Sequence, residues 1–183
     1  GVNYARIWLG FNSPFFMQTV QAGLGKLDLS CAWRVDELLG YAASFDVRLM
    51  LSLYSYNVLR PDHQYNGCWD DCNQFAHFLN LAGPMDWFTD PRALALHERY
   101  FRYVVARYGW SAHVHSFEFE NEVDGAQDYD VNVAATWHAW AAKSVRARDT
   151  YANHLLSTSF AQHPGTPLID GNDSVDFAQT HVY

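Results

Sequence analysis

The sequence has 183 residues, 49% hydrophobic and 17% charged, with a formal net charge of −8; this is enough apolar material for one domain with a real core, and too little charge for a disordered chain. Its 12 Lys+Arg form no basic run, which argues against a nucleic-acid partner. No apolar stretch approaches the roughly 18 residues of a membrane span. The chain begins with Gly1 rather than Met and shows no leader, so it is expected to start after processing or truncation.

Residues 3–9 read as a buried strand with Arg6 among apolar neighbours. Arginine keeps its charge inside a protein, so a buried Arg6 needs anions; the alternative is a snorkelling side chain at the rim. A Gly- and Pro-containing loop follows. Ser30 is expected to cap a helix whose apolar positions Val35, Leu38, Leu39 and Ala42 recur at helical spacing. Cys31 is expected to be buried on that helix. Residues 47–54 form the next strand. The stretch from Ser55 to Thr89 reads as a long polar and aromatic loop, and loops beyond about 12–15 residues are usually functional or disordered. Trp69, Phe75, Trp87 and Tyr65 make it a candidate wall for a binding cleft. Within it, Cys68 and Cys72 either close a small disulfide or remain two thiols.

Asp90-Pro91 starts a second helix, with Asp as cap and Pro in the first turn, and Gly109 stops it. Residues 114–120 form the third strand, a helix spans about 132–148, and the last strands lie near 154–160 and 177–183. Strands alternating with helices imply βαβ crossovers and a parallel α/β sheet, either doubly wound or closed into a barrel. The absence of Gly-x-Gly-x-x-Gly after the first strand removes the main sign of a dinucleotide site. In both architectures ligand chemistry sits at the C-terminal strand ends.

Those ends carry the informative residues. The third strand finishes Glu118-Phe119-Glu120-Asn121-Glu122, and alternation puts the three glutamates on one face if the extended geometry persists. Carboxyls among apolar neighbours are costly unless paired, hydrogen-bonded or protonated, and such an environment favours the proton-donating form. The fifth strand ends in His181-Val-Tyr183, two titratable groups on one side. His113 and His115 have same-face spacing, but no further ligands join them, so they read as surface histidines and no metal or other cofactor is expected. The Asn172-Asp-Ser174 sequon is too common by chance to carry weight.

With these motifs in order, the chain resembles clan A glycoside hydrolases, especially family 5 cellulases and mannanases. Asn121-Glu122 is similar to the pair ending barrel strand 4, Arg6 to an arginine on strand 2, and His181-Val-Tyr183 to the His-x-Tyr ending strand 6. The resemblance implies a partial (β/α)₈ TIM barrel. Residues 1–183 would form a single incomplete catalytic domain holding strands 2 to 6, with strands 1, 7 and 8 missing. It implies a retaining O-glycosyl hydrolase of a β-linked polysaccharide such as β-glucan or β-mannan, and a secreted or extracytoplasmic location. Glu122 would be acid/base, and Asn121, Arg6, His181 and Tyr183 would contact substrate or nucleophile. The family's nucleophile lies on strand 7, so it falls outside the chain. Tyr54-Ser-Tyr-Asn57 stands where the family often has a His, which leaves the substrate contacts on that side open. Two alternatives remain: a substrate-assisted hydrolase, since Glu118-x-Glu120-x-Glu122 faintly resembles the acidic run of family 18 chitinases, and a carbohydrate-binding barrel without activity. A metal-dependent barrel hydrolase is the remaining class.

Overall fold

A computed structural model describes residues 1–62, 66–150, 152–161, 165–171 and 173–181. The elements run β1 (Tyr4–Trp8), α1 (Leu29–Phe45), β2 (Arg48–Ser55), α2 (Trp69–Cys72), α3 (Gln74–Leu79), α4 (Asp86–Thr89), α5 (Pro91–Tyr108), β3 (Val114–Asn121), α6 (Val131–Arg146), β4 (Leu155–Phe160), α7 (Pro167–Asp170) and β5 (Phe177–Thr180). The strands form one parallel sheet in the order β1-β2-β3-β4-β5. Each new strand is added beside the last, without the order reversal of a doubly wound sheet, as in a barrel wall.

The long helices start and stop where their chemistry dictates. Asp90 accepts the Arg92 N–H and Pro91 fills the first turn of α5. Asp130 caps α6 through the N–H groups of Asn132 and Val133. For α1 the cap is Asp28, whose carboxylate accepts from Ser30 and Cys31 N–H groups, and not the expected Ser30. Cys31 is buried, as expected.

The expected long loop contains structure. A 3-10 turn at Tyr56–Leu59 and the short helices α2, α3 and α4 break it up. Trp69, Phe75 and Trp87 are buried, so they pack the core and do not wall an open cleft; Tyr65 lies outside the described residues. Trp87 stands 4.0 Å from the His97 ring and 5.4 Å from Trp137, and Tyr54 meets Trp87 edge-on at 4.8 Å. This aromatic cluster joins the end of β2 to α4, α5 and α6. His97 bridges it, with Nδ1 at 2.9 Å from the Tyr54 hydroxyl and Nε2 at 3.0 Å from the Trp87 carbonyl. Cys68 and Cys72 are disulfide-bonded. The fifth strand ends at Thr180, and residues 182 and 183 lie outside the described set. No helix among the described residues is long and apolar enough to cross a membrane.

Candidate active site

Strands β1, β2 and β3 bring together Arg6, Ser55, Glu118 and Asn121, and the segments that follow β3 and β5 bring together Glu122 and His181. Arg6 donates from Nε and Nη2 to the two carboxylate oxygens of Glu118, each at 2.7 Å. Its Nη2 also donates to Asn121 Oδ1 at 2.6 Å. Glu118 is fully buried, while the Arg6 side chain keeps 22% exposure. The sequence placed Arg6 opposite anions, and the anion it meets is Glu118.

Strict alternation would put Asn121, three residues after Glu118, on the opposite face. Both reach the same guanidinium, so alternation fails along the end of β3. Asn121 then donates from Nδ2 to Ser55 Oγ at 3.1 Å, Ser55 donates to Asn57 Oδ1 at 2.7 Å, and Asn57 donates to the Asn66 carbonyl at 3.1 Å. The Asn57 carbonyl accepts the Cys68 N–H at 2.9 Å. A buried run of hydrogen bonds thus ties Asn121 to the disulfide-closed turn. Sequence reasoning did not find Ser55 or Asn57 as site residues, although Tyr54-Ser-Tyr-Asn57 stood out at that strand end.

The three glutamates, expected on one face, have three different surroundings. Glu118 is clamped by Arg6. Glu120 is fully buried and neither carboxylate oxygen has a hydrogen-bond partner among the described residues; burial, with the neighbouring Glu118 charge second, raises its pKa well above the usual carboxyl range. Glu122 leaves the strand altogether, with φ 57° and ψ 54° in the left-handed region. That conformation costs a non-glycine residue about 1–2 kcal/mol. It is held by Ser159 Oγ, which accepts the Glu122 N–H at 3.0 Å, and by the Gly125 N–H, which donates to the Glu122 carbonyl at 2.8 Å. Residues held in such conformations concentrate at functional sites.

The result places the Glu122 carboxyl, 7% exposed as a residue, at the mouth of the sheet with Oε1 at 2.6 Å from His181 Nδ1. Of the sequence-derived set, Glu122 and His181 meet directly, Arg6 and Asn121 meet directly, and Tyr183 lies outside the described residues. His113 and His115 bond locally, to the Val47 carbonyl and Ser116 Oγ. Asn172 of the sequon lies outside the described residues. Among the described residues no group of three or more His, Cys, Asp or Glu side chains is arranged to hold a metal ion.

No model of a known protein family matches the chain. It is 26% identical over 126 residues to mannan endo-1,4-β-mannosidase A of Podospora anserina, an overlap that covers 68% of this chain and 30% of that protein. Solved structures share its fold, three of them as follows. An exo-β-1,4-mannosidase from an Opitutaceae bacterium superposes with a TM-score of 0.70 at 16% identity, covering 99% of this chain and 31% of that one. A β-1,4-D-mannanase from Cryptopygus antarcticus gives 0.65 at 14% identity, covering 99% and 56%. Endo-glycoceramidase II from Rhodococcus sp. gives 0.62 at 15% identity, covering 86% and 40%. The chain is therefore similar to clan A, family-5-type glycoside hydrolases, and its sheet is the partial TIM barrel expected for strands 2 to 6.

Proposed function

We propose that the chain carries the acid/base half of a retaining β-glycosidase acting on a β-linked polysaccharide such as β-mannan or β-glucan. The observation that carries this reading is the Glu122–His181 contact of 2.6 Å at the carboxyl ends of two parallel strands, beside the Arg6–Asn121 pair. The similarity to a fungal endo-mannosidase supports the substrate class.

In this reading Glu122 protonates the leaving glycosidic oxygen, then takes a proton from the water that resolves the covalent intermediate. The attacking carboxylate must stand about 5–5.5 Å away and is contributed by sequence outside residues 1–183, with the remaining strands of the barrel. Arg6 has both Nε and Nη2 committed; its Nη1 has no partner among the described residues and would pair with that nucleophile. Asn121 would use its second Nδ2 hydrogen on the sugar hydroxyl next to the reacting carbon. His181 orients the Glu122 carboxyl, and Tyr183 would contact substrate. The Cys68–Cys72 disulfide supports an oxidising, extracytoplasmic location.

The 183-residue chain alone should show no turnover of β-1,4-mannan or β-1,4-glucan, and turnover at the level of a complete enzyme would remove the missing-nucleophile reading. In a polypeptide that completes the barrel, Glu122→Gln should slow hydrolysis of unactivated glycosides by about 10²–10⁴-fold, while glycosides whose leaving group needs no proton keep their first step. Undiminished mannan and glucan hydrolysis by Glu122→Gln would show that another group is the acid.

A further inference from the structure

The chain has ten arginines, and eight of them donate to a carboxylate or carbonyl among the described residues. The other two, Arg99 and Arg102, have no such partner, and both line the same cavity of about 380 Å³. Leu96, Tyr100 and Tyr103 of α5 share that wall, and Gln18 closes it from the loop after β1. These positions repeat at three- and four-residue spacing, so one face of α5 presents two cations on an apolar and aromatic backing.

Two further features fit an anionic occupant. First, the nearby acids are committed elsewhere: Glu98 accepts from Arg148, and Asp36 accepts from Arg107 at 2.6 Å. In a chain of net charge −8, two guanidinium groups left without a carboxylate run against the overall balance. Second, Gly25 sits in the left-handed region at φ +64°, and a Cβ there would stand 2.7 Å from Leu96 Cδ2 and 3.0 Å from Arg99 Nη1. Glycine is thus what leaves the Arg99 head its place.

We propose that this cavity binds a small ligand bearing a carboxylate or phosphoryl group on a body of about monosaccharide size. The planar guanidinium fork matches the oxygens of either group in a bidentate way, and the volume lies within the usual range for small-molecule sites. The site shares no residue with the Glu122–His181–Arg6 cluster, so it stands whether or not the glycosidase reading holds.

Calorimetric titration of the chain with inorganic phosphate, glucuronate, glucose 6-phosphate and uncharged glucose tests it. At least one of the three anions should bind saturably and glucose should not. Binding should weaken at least tenfold in Arg99→Gln/Arg102→Gln, with an unchanged circular dichroism spectrum because both side chains lie at the surface. Arg102→Gln alone serves if the double variant loses its fold. Preference for glucose 6-phosphate over glucuronate assigns a phosphoryl ligand, and the reverse a carboxylate. Absence of saturable binding by all three anions below about 10 mM, or equal binding by parent and variant, overturns the proposal.

Discussion

Replacing Arg6 by Met removes the only cation that bonds Glu118 among the described residues while keeping an unbranched side chain of similar length. Glu118 is fully buried, and Arg6 supplies a donor at 2.7 Å to each of its oxygens. Unit charges about 4 Å apart attract by about 4 kcal/mol at an effective dielectric constant of 20, and breaking a buried pair from one side typically costs about 3–5 kcal/mol. Arg6 keeps 22% exposure, so water can enter from its side, and the lower end of that range, about 3 kcal/mol, is the expectation. Asn121 Oδ1 also loses its donor. Glu118→Gln should cost less, about 1–2 kcal/mol, because the surviving Arg6 remains partly hydrated. The double variant should then be more stable than the sum of the single losses predicts, with a coupling of about 2 kcal/mol. Urea unfolding followed by the fluorescence of the seven tryptophans measures all four proteins. A loss below about 1 kcal/mol in Arg6→Met, or strict additivity in the double variant, would refute the clamp.

Acid should unfold the chain early. Burial lowers His97 to about 3 and His138 to about 4, from 6.5 in the unfolded chain. Both are neutral when folded, so their contribution is complete above pH 6.5 and is lost as the pH falls, each at about 1.4 kcal/mol per unit. Glu120 opposes them: with its folded pKa raised, the folded form holds a proton that the unfolded chain releases above about 4.5, so its contribution falls as pH rises. Below pH 6.5 the two histidines outweigh the single carboxyl, so stability falls as the pH is lowered toward 4.5, which urea midpoints against pH would read; a flat profile would contradict the buried neutral histidines. Glu120→Gln should stabilise the chain at pH 7, give no gain below pH 4.5, and steepen the slope between them; a gain of equal size at pH 4 would mean that Glu120 does not titrate as described. Reducing Cys68–Cys72, separated by four positions, should cost about 2 kcal/mol from loop closure alone, and an unchanged urea midpoint in dithiothreitol would remove the staple from the stability of the chain.

Most of the fold was legible because it rests on local signals. The third strand, read at 114–120, is Val114–Asn121, and the helix opened by Asp90-Pro91 runs to Tyr108 before Gly109. Both follow from apolar period and end chemistry within one segment. The region 56–89 failed for the opposite reason. Helices of four to six residues, such as Trp69–Cys72 and Gln74–Leu79, are too short to show a period, and they persist because tertiary burial holds them. The same gap hid the role of the aromatics. A tryptophan that lines a cleft and one that packs on a buried histidine look alike in sequence, and Trp87 at 1% exposure is the second kind.

The candidate site was legible only in part: Arg6, Asn121, Glu122 and His181 stood out in the sequence, Ser55 and Asn57 did not, and neither did the pairings. Arg6 and Glu118 are 112 positions apart and Glu122 and His181 are 59 apart, so no local pattern says which carboxyl takes which partner. The deciding feature is the backbone turn at Glu122. Had the strand stayed extended, Glu122 would have shared the face of Glu118. A carboxyl clamped at both oxygens by guanidinium hydrogens has its lone pairs committed and is poorly placed to exchange a proton with a substrate. The left-handed residue separates the two: Glu118 keeps the cation, and Glu122 swings to the mouth beside the His181 imidazole. The strain is held by a hydroxyl from the next strand, Ser159, together with the Gly125 N–H on the Glu122 carbonyl. Ser159→Ala removes no side chain of the proposed reaction, only a bond to the Glu122 backbone, yet should let Glu122 relax toward the extended form; if the Glu122–His181 contact survives it unchanged, the turn owes its conformation to something other than that bond.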